Sequence, residues 1–148
     1  MKHPQLLLEN QLCHRLYLAA NGVVRSYRPI LQALSLTYPQ YVVMMALWEE
    51  DGVSIKHIIN KTSVDAGALT LILQKLADKA LLEVVNGEQD KRQKFVKLTA
   101  AGHQLADKAA AVPEQIRCEF GEFSDHDFKQ LVTLLDKFNQ TFCQSDES

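Results

Sequence analysis

The chain has 148 residues, 47% of them hydrophobic and 23% charged, with a formal net charge of −2, which suits one domain with a real core. No apolar run nears the roughly 18 residues of a membrane span and no charged-then-apolar leader opens the chain, so neither a membrane protein nor a secreted one is expected. Three cysteines, an odd number without regular spacing, exclude a disulfide scaffold or a zinc motif and suit free thiols in a reducing cytoplasm.

Residues 5–27 read as one long helix. Leu8, Leu12, Leu16, Ala19 and Val23 form one apolar stripe, and Leu6, Cys13, Tyr17, Ala20 and Val24 a second beside it. A helix apolar over so much of its girth needs cover on two sides. An N-terminal helix of a small domain rarely finds that within its own chain, so a partner subunit is the natural supplier. Arg28-Pro29 is expected to end the helix or turn it sharply.

Thr37 with Gln40 three residues on forms a capping box, and Pro39 is tolerated in a first turn. The apolar run Tyr41–Trp48 is the predicted centre of the core, with a glycine stop at Gly52. Ser54 can cap the next short helix, which is followed by a break and a second helix over 65–80. Its predicted buried stripe is Leu69, Ile72, Leu73, Leu76 and Ala80. Near its start, Ala66, Gly67, Ala68 and Thr70 leave the other side small. A surface of that kind lets a helix approach base edges closely, and a threonine can meet a thymine methyl or a polar atom of a base. Two strand-like runs, Leu82–Val85 and Phe95–Leu98, flank a polar tip carrying Lys91, Arg92 and Lys94. Helix, turn, helix and a hairpin with a basic tip is the order of a winged helix-turn-helix, whose tip arginine can enter a narrow minor groove.

Charge supports that order. Residues 53–100 hold eight Lys or Arg and five Asp or Glu, a net of +3, which leaves −5 for the rest. Lys75 and Lys79 are either solvated charges or phosphate contacts. The five histidines (3, 14, 57, 103 and 126) show no metal spacing and are expected to face solvent, although His57 could approach a phosphate. No cofactor is expected.

After the hairpin, Thr99 can cap a helix over 100–111, and Leu105, Ala109, Val112, Ile116 and Phe120 continue one stripe past a kink at Pro113. Cys118 lies about 150° from the centre of that stripe, so it is predicted to be peripheral. Ser124 caps a last helix striped by Phe128, Leu131, Leu135, Phe138 and Phe142, and Cys143 sits in a polar tail as an incidental residue. The fold class is thus mainly α with a small β-hairpin wing. A single domain over 1–148 is expected, with 37–102 as the winged helix-turn-helix and a wing at about 82–98. Helices over 5–30 and 103–143 would pair two copies as an obligate dimer.

Cysteine is often a buried filler, so Cys13 is inert by default. Reactivity requires a thiolate supported by donors or positive charge, and the candidate donors are Tyr17, Tyr27 and Tyr38. Tyr27 lies 14 residues from Cys13, roughly 21 Å along a straight helix, so the two cannot touch within one chain.

Several segments together resemble the MarR family of winged-helix regulators, and specifically its OhrR-like branch of organic-peroxide sensors. They are Glu9-Asn-Gln-Leu-Cys13, Tyr27-Arg-Pro29, Leu36–Tyr41 running into Leu47-Trp-Glu49, Asp65-x-Gly67-x-Leu69-Thr70, and Asp90–Gln93 leading to Leu98-Thr-x-x-Gly102. The resemblance covers nearly the whole chain. It implies a cytoplasmic, non-enzymatic homodimer that binds an inverted-repeat operator in double-stranded DNA. Asp65, Ala66, Gly67, Ala68, Thr70 and Lys75 of the reading helix and Asp90, Lys91, Arg92 and Lys94 of the wing would face the duplex. It further implies that Tyr27 and Tyr38 of one copy support Cys13 of the other, and that Pro113-Glu114 with Cys118 marks the subgroup with a resolving cysteine. Two positions depart from the pattern: Gln74-Lys75 carries one charge fewer than the usual basic pair, and Leu82–Val85 lacks the arginines common before the wing. Competing expectations are a regulator released by a phenolic or other small ligand, a thiol peroxidase, and a winged helix that binds protein.

Overall fold

A computed structural model describes residues 2–143. After two 3-10 turns, Pro4–Leu6 and Leu8–Asn10, helix α1 spans Leu12–Gln32 and α2 spans Tyr38–Glu49. A two-residue strand β1 (Val53–Ser54) leads into α3 (Ile55–Thr62) and α4 (Ala66–Asp78). Strands β2 (Leu82–Asn86) and β3 (Lys94–Leu98) form the wing, and α5 (Ala100–Ala109), α6 (Val112–Glu119) and α7 (Asp125–Cys143) complete the chain. The sheet is antiparallel with order β1-β3-β2; Val53 and Val84 both pair with Val96, and Leu82 pairs with Leu98.

The core centres on α2, as its apolar run predicts: Tyr41, Val43, Met44 and Leu47 are buried with Ile58, Leu69, Leu76, Leu82 and Val96. Each such side chain contributes about 1.5–3 kcal/mol by leaving water. The capping box forms as expected, with Gln40 N–H donating to Thr37 Oγ1 (3.3 Å) and Thr37 N–H to Gln40 Oε1 (3.2 Å). Ser54 and Thr99 also cap as expected, accepting from the N–H groups of His57 and Gly102. Ser124 Oγ accepts from Asp127 N–H at the head of α7.

Several boundaries differ from the sequence reading. The first helix begins at Leu12, because residues 4–10 are held in 3-10 turns by Asn10 and Gln11 side chains that donate to the Pro4 and Gln5 carbonyls. Pro29 does not end α1; it sits in the last turns, and three more helical residues follow. Helix α4 stops at Asp78 because Ala80 turns left-handed (φ 59°), so Ala80 is exposed rather than part of the buried stripe. Ser35 (φ 55°) and Ser63 (φ 57°) end helical segments in the same non-glycine way, while Gly52 (φ 69°) lies in the turn after α2. Pro113 divides rather than kinks its helix, taking a place in the first turn of α6, where its missing N–H costs nothing. The two-residue strand β1 was not foreseen; it is too short to show a period.

Gly102 explains the last part of the motif Leu98-Thr-x-x-Gly102. A Cβ there would lie 2.1 Å from the Leu81 carbonyl oxygen, while the Gly102 carbonyl accepts from Trp48 Nε1 at 2.9 Å. Backbone cannot swing aside as a side chain can. Gly102→Ala is therefore expected to cost about 3 kcal/mol and to lower the melting temperature by about 10 °C in a calorimetric scan.

Candidate nucleic-acid interface and thiol site

Helix α4 is the candidate reading element. Its 13 residues span about 20 Å, and Leu69, Leu73 and Leu76 bury one side. Ala66, Gly67, Ala68 and Thr70 are all exposed near its start. Asp65 is engaged as the helix cap: Oδ2 accepts from Gly67 N–H (3.2 Å) and Ala68 N–H (3.4 Å). Thr70 Oγ1 donates back to the Ala66 carbonyl at 3.1 Å, which restrains its rotamer. Leu71, 61% exposed, and Gln74 extend this face. The sequence reading marked Gln74 only as a departure from the usual basic pair and passed over Leu71, although the 100° step sets both opposite the buried stripe.

At the wing tip, Asp90 Oδ1 accepts from the backbone N–H of Arg92 at 2.9 Å, and the Asp90 carbonyl accepts from Gln93 N–H. Asp90 thus shapes the turn that carries Arg92, through backbone rather than through the guanidinium. Lys91, Arg92 and Lys94 are exposed, as is Lys75. Other basic groups point elsewhere. Lys61 Nζ pairs with Glu49 Oε1 at 2.6 Å, and Lys79 donates to the Ser35 carbonyl and to Gln40 Oε1. His57 Nε2 faces Glu50 at 3.3 Å and His103 Nε2 faces Asp51 at 3.1 Å.

Cys13 lies at the start of α1, exposed, beside other exposed apolar side chains: Leu12, Tyr17 and Leu18 on α1, with Leu131, Val132, Leu134 and Phe138 exposed on α7. Leu12, Leu16, Leu131, Leu134, Leu135 and Phe138 line a groove of about 460 Å3 between the two helices. Cys118 is exposed near the end of α6, as the helical wheel predicts. The side chain of Cys143 lies outside the described residues.

The tyrosines do not gather round Cys13 in one chain. Tyr17 is 64% exposed and stacks on His14. Tyr27 meets Tyr38 at the far end of α1, with ring centroids 4.8 Å apart, and Tyr41 lies 5.8 Å from Tyr27. Burial first, then the neighbouring Tyr38 and Tyr41 phenols, holds Tyr27 above the usual phenol range; burial and Tyr38 do the same for Tyr41. Both hydroxyls therefore stay protonated donors at neutral pH. The linkage has a definite sign. Their contribution to stability is fully present below the pH at which an unfolded chain's phenols ionise, and it is lost as pH rises through the folded values. An alkaline titration followed by tyrosinate absorbance should show Tyr27 and Tyr41 ionising late, with unfolding on the same limb.

Among the described residues no cluster of three or more His, Cys, Asp or Glu is placed to hold a metal ion, and no helix is long and apolar enough to cross a membrane. The arrangement is that of a winged helix-turn-helix regulator, and comparison with known proteins agrees. Residues 25–109 match the family model described as transcriptional regulator SarA/Rot. The organic hydroperoxide resistance transcriptional regulator of Bacillus subtilis is 33% identical over 143 residues, 97% of each chain. AbfR of Staphylococcus epidermidis superposes with a TM-score of 0.72 at 30% identity, covering 100% of this chain and 99% of that one, and AbfR has been solved on DNA in reduced and overoxidized forms. BpsR of Bordetella bronchiseptica, whose DNA binding is regulated by 6-hydroxynicotinic acid, superposes with a TM-score of 0.80 at 27% identity over 87% of this chain and 98% of its own. The chain belongs to the MarR family of winged-helix transcriptional regulators.

Proposed function

We propose that the protein is a homodimeric repressor that binds an inverted-repeat operator and releases it when an organic hydroperoxide oxidises Cys13. The observation that carries this reading is the position of Cys13. It is exposed on an uncovered apolar face of α1, while Tyr27, with Tyr38 of α2 against it, stands toward the other end of the same helix. An antiparallel second copy would cover the face and bring its tyrosines to the sulfur. The organic hydroperoxide regulator among the relatives supports the choice of oxidant. In the duplex, Ala66, Gly67, Ala68, Thr70 and Leu71 meet base edges in the major groove, Asp65 holds the helix start, and Lys75 and Lys91 contact phosphate. Arg92, on the turn built by Asp90, enters the minor groove beside Lys94.

The chemistry balances as a two-electron oxidation. The Cys13 thiolate attacks the distal oxygen of the hydroperoxide; the O–O bond breaks, an S–O bond forms, and the alcohol leaves with a proton. Cys118 of the other copy then attacks the sulfenic sulfur, an S–S bond forms and water departs. Loss of operator binding should coincide with a Cys13–Cys118 cross-linked species on a non-reducing gel, absent in Cys118→Ser. Release without any cross-link would remove Cys118 from the mechanism.

A second reading has support of its own. Val24, Arg28, Gln32, Leu36, Tyr38 and Pro39 line a groove of about 650 Å3, where an aromatic anion could meet the guanidinium and the phenol. BpsR responds to 6-hydroxynicotinic acid. A regulator of that kind would be indifferent to removal of Cys13.

A further inference from the structure

Gln40 is the one buried polar or charged residue among those described, 4% exposed, and its amide oxygen has two donors. One is the Thr37 backbone N–H (3.2 Å), which completes the α2 cap; the other is Lys79 Nζ (2.9 Å). Lys79 stands at the C-terminal cap of the reading helix α4, and its ammonium also donates to the Ser35 carbonyl. Ser35 is the left-handed residue of the turn between α1 and α2. Thus a single cation, 39 residues from one acceptor and 44 from the other, joins the end of α4 to both sides of the α1–α2 corner. That corner carries Tyr38, whose ring lies tilted against that of Tyr27. The sequence offered Lys79 as a solvated charge or a phosphate contact. Lys79 is exposed, but its ammonium is engaged by two protein oxygens, at the helix end away from the small face and where the helix dipole favours a cation.

We propose that Lys79 is a positioning residue that couples the α1–α2 corner to the reading helix, so that a displacement of the corner is transmitted directly to the end of α4. Where the repressor reading of the preceding section holds, this tie is part of the path from the α1 thiol face to the DNA. A charged donor with two oxygen acceptors suits that task, because such bonds are stronger than neutral ones and hold a definite geometry. Methionine in its place keeps the apolar stem and removes both bonds; arginine keeps two donors.

The test uses reduced protein only, so its outcome does not depend on the thiol reading. The probe is a DNA duplex selected by the reduced protein from a randomised library. Amide hydrogen exchange is followed in residues 34–37 and 76–79, with and without the duplex, for wild type, Lys79→Met and Lys79→Arg. In wild type, duplex binding should slow exchange in both segments. In Lys79→Met it should slow only the α4 segment, with the protection ratio at 34–37 falling about fivefold or more; Lys79→Arg should restore it. The slope of log affinity against log salt should be the same in all three proteins. A slope smaller by about one in Lys79→Met would make Lys79 a phosphate contact and overturn the proposal. Unchanged protection of 34–37 in Lys79→Met, or no protection there in wild type, would overturn it equally. Failure of wild type to select any duplex would instead retire the operator-binding reading on which the proposal rests.

Discussion

Cys13→Ser is expected to bind operator as wild type does and to keep it when treated with cumene hydroperoxide. The substitution exchanges one small exposed side chain for another, on a face the single chain leaves uncovered, so neither the core nor α4 is touched. A hydroxyl cannot form a sulfenic acid, and the first two-electron step is lost with it. Wild type should lose operator in a gel shift at peroxide concentrations that leave the variant bound. The expected difference is about 100-fold in affinity after oxidation, near the upper end of coupling between two sites. Release of Cys13→Ser by the same peroxide would end the proposal that this sulfur is the sensor, and release by an aromatic carboxylate alone would favour the groove beside Arg28 and Tyr38.

Leu134→Asp is expected to separate the two copies. Leu134 is 63% exposed in the single chain, so a carboxylate there burdens no intrachain contact of the core. In a dimer sealed by α1 and α7 the same carboxylate would be stripped of water without a partner. Sedimentation should show a monomer, with far-ultraviolet circular dichroism still helical. Operator affinity should fall by about 100-fold or more, because two linked reading heads gain that much from binding together. A variant that remains dimeric with unchanged affinity would mean that α7 does not form the interface.

The parts of the fold that a local signal controls were legible. The capping box of Thr37 and Gln40, the Ser54 and Thr99 caps and the buried run in α2 follow from side chains within four residues of one another. Boundaries set by longer-range or strained backbone were not. Nothing in an alanine signals φ 59°, and Pro29 reads as a stop until three further helical residues are seen. The exposed face of α4 was partly legible: small residues at its start drew notice, whereas Leu71 passed as one more apolar residue until its exposure was seen. Lys79 was beyond sequence reasoning, since its acceptors are a buried amide and a carbonyl dozens of residues away. The apolar faces of α1 and α7 did announce themselves, because their stripes exceed what one short chain can cover.

The acidic turn after α2 has a mechanical consequence. Glu49 holds Lys61 and Glu50 faces His57, both on α3, while Asp51 accepts from the Leu98 backbone N–H of β3 and faces His103 of α5. Three neighbouring carboxylates thereby fasten the helix before the reading helix, the root of the wing and the helix behind it to one short piece of chain. Each ion pair is solvent-exposed and worth at most about 1 kcal/mol, but all of them share one anchor. A displacement of this turn would therefore act on α3, β3 and α5 together and on none of them alone.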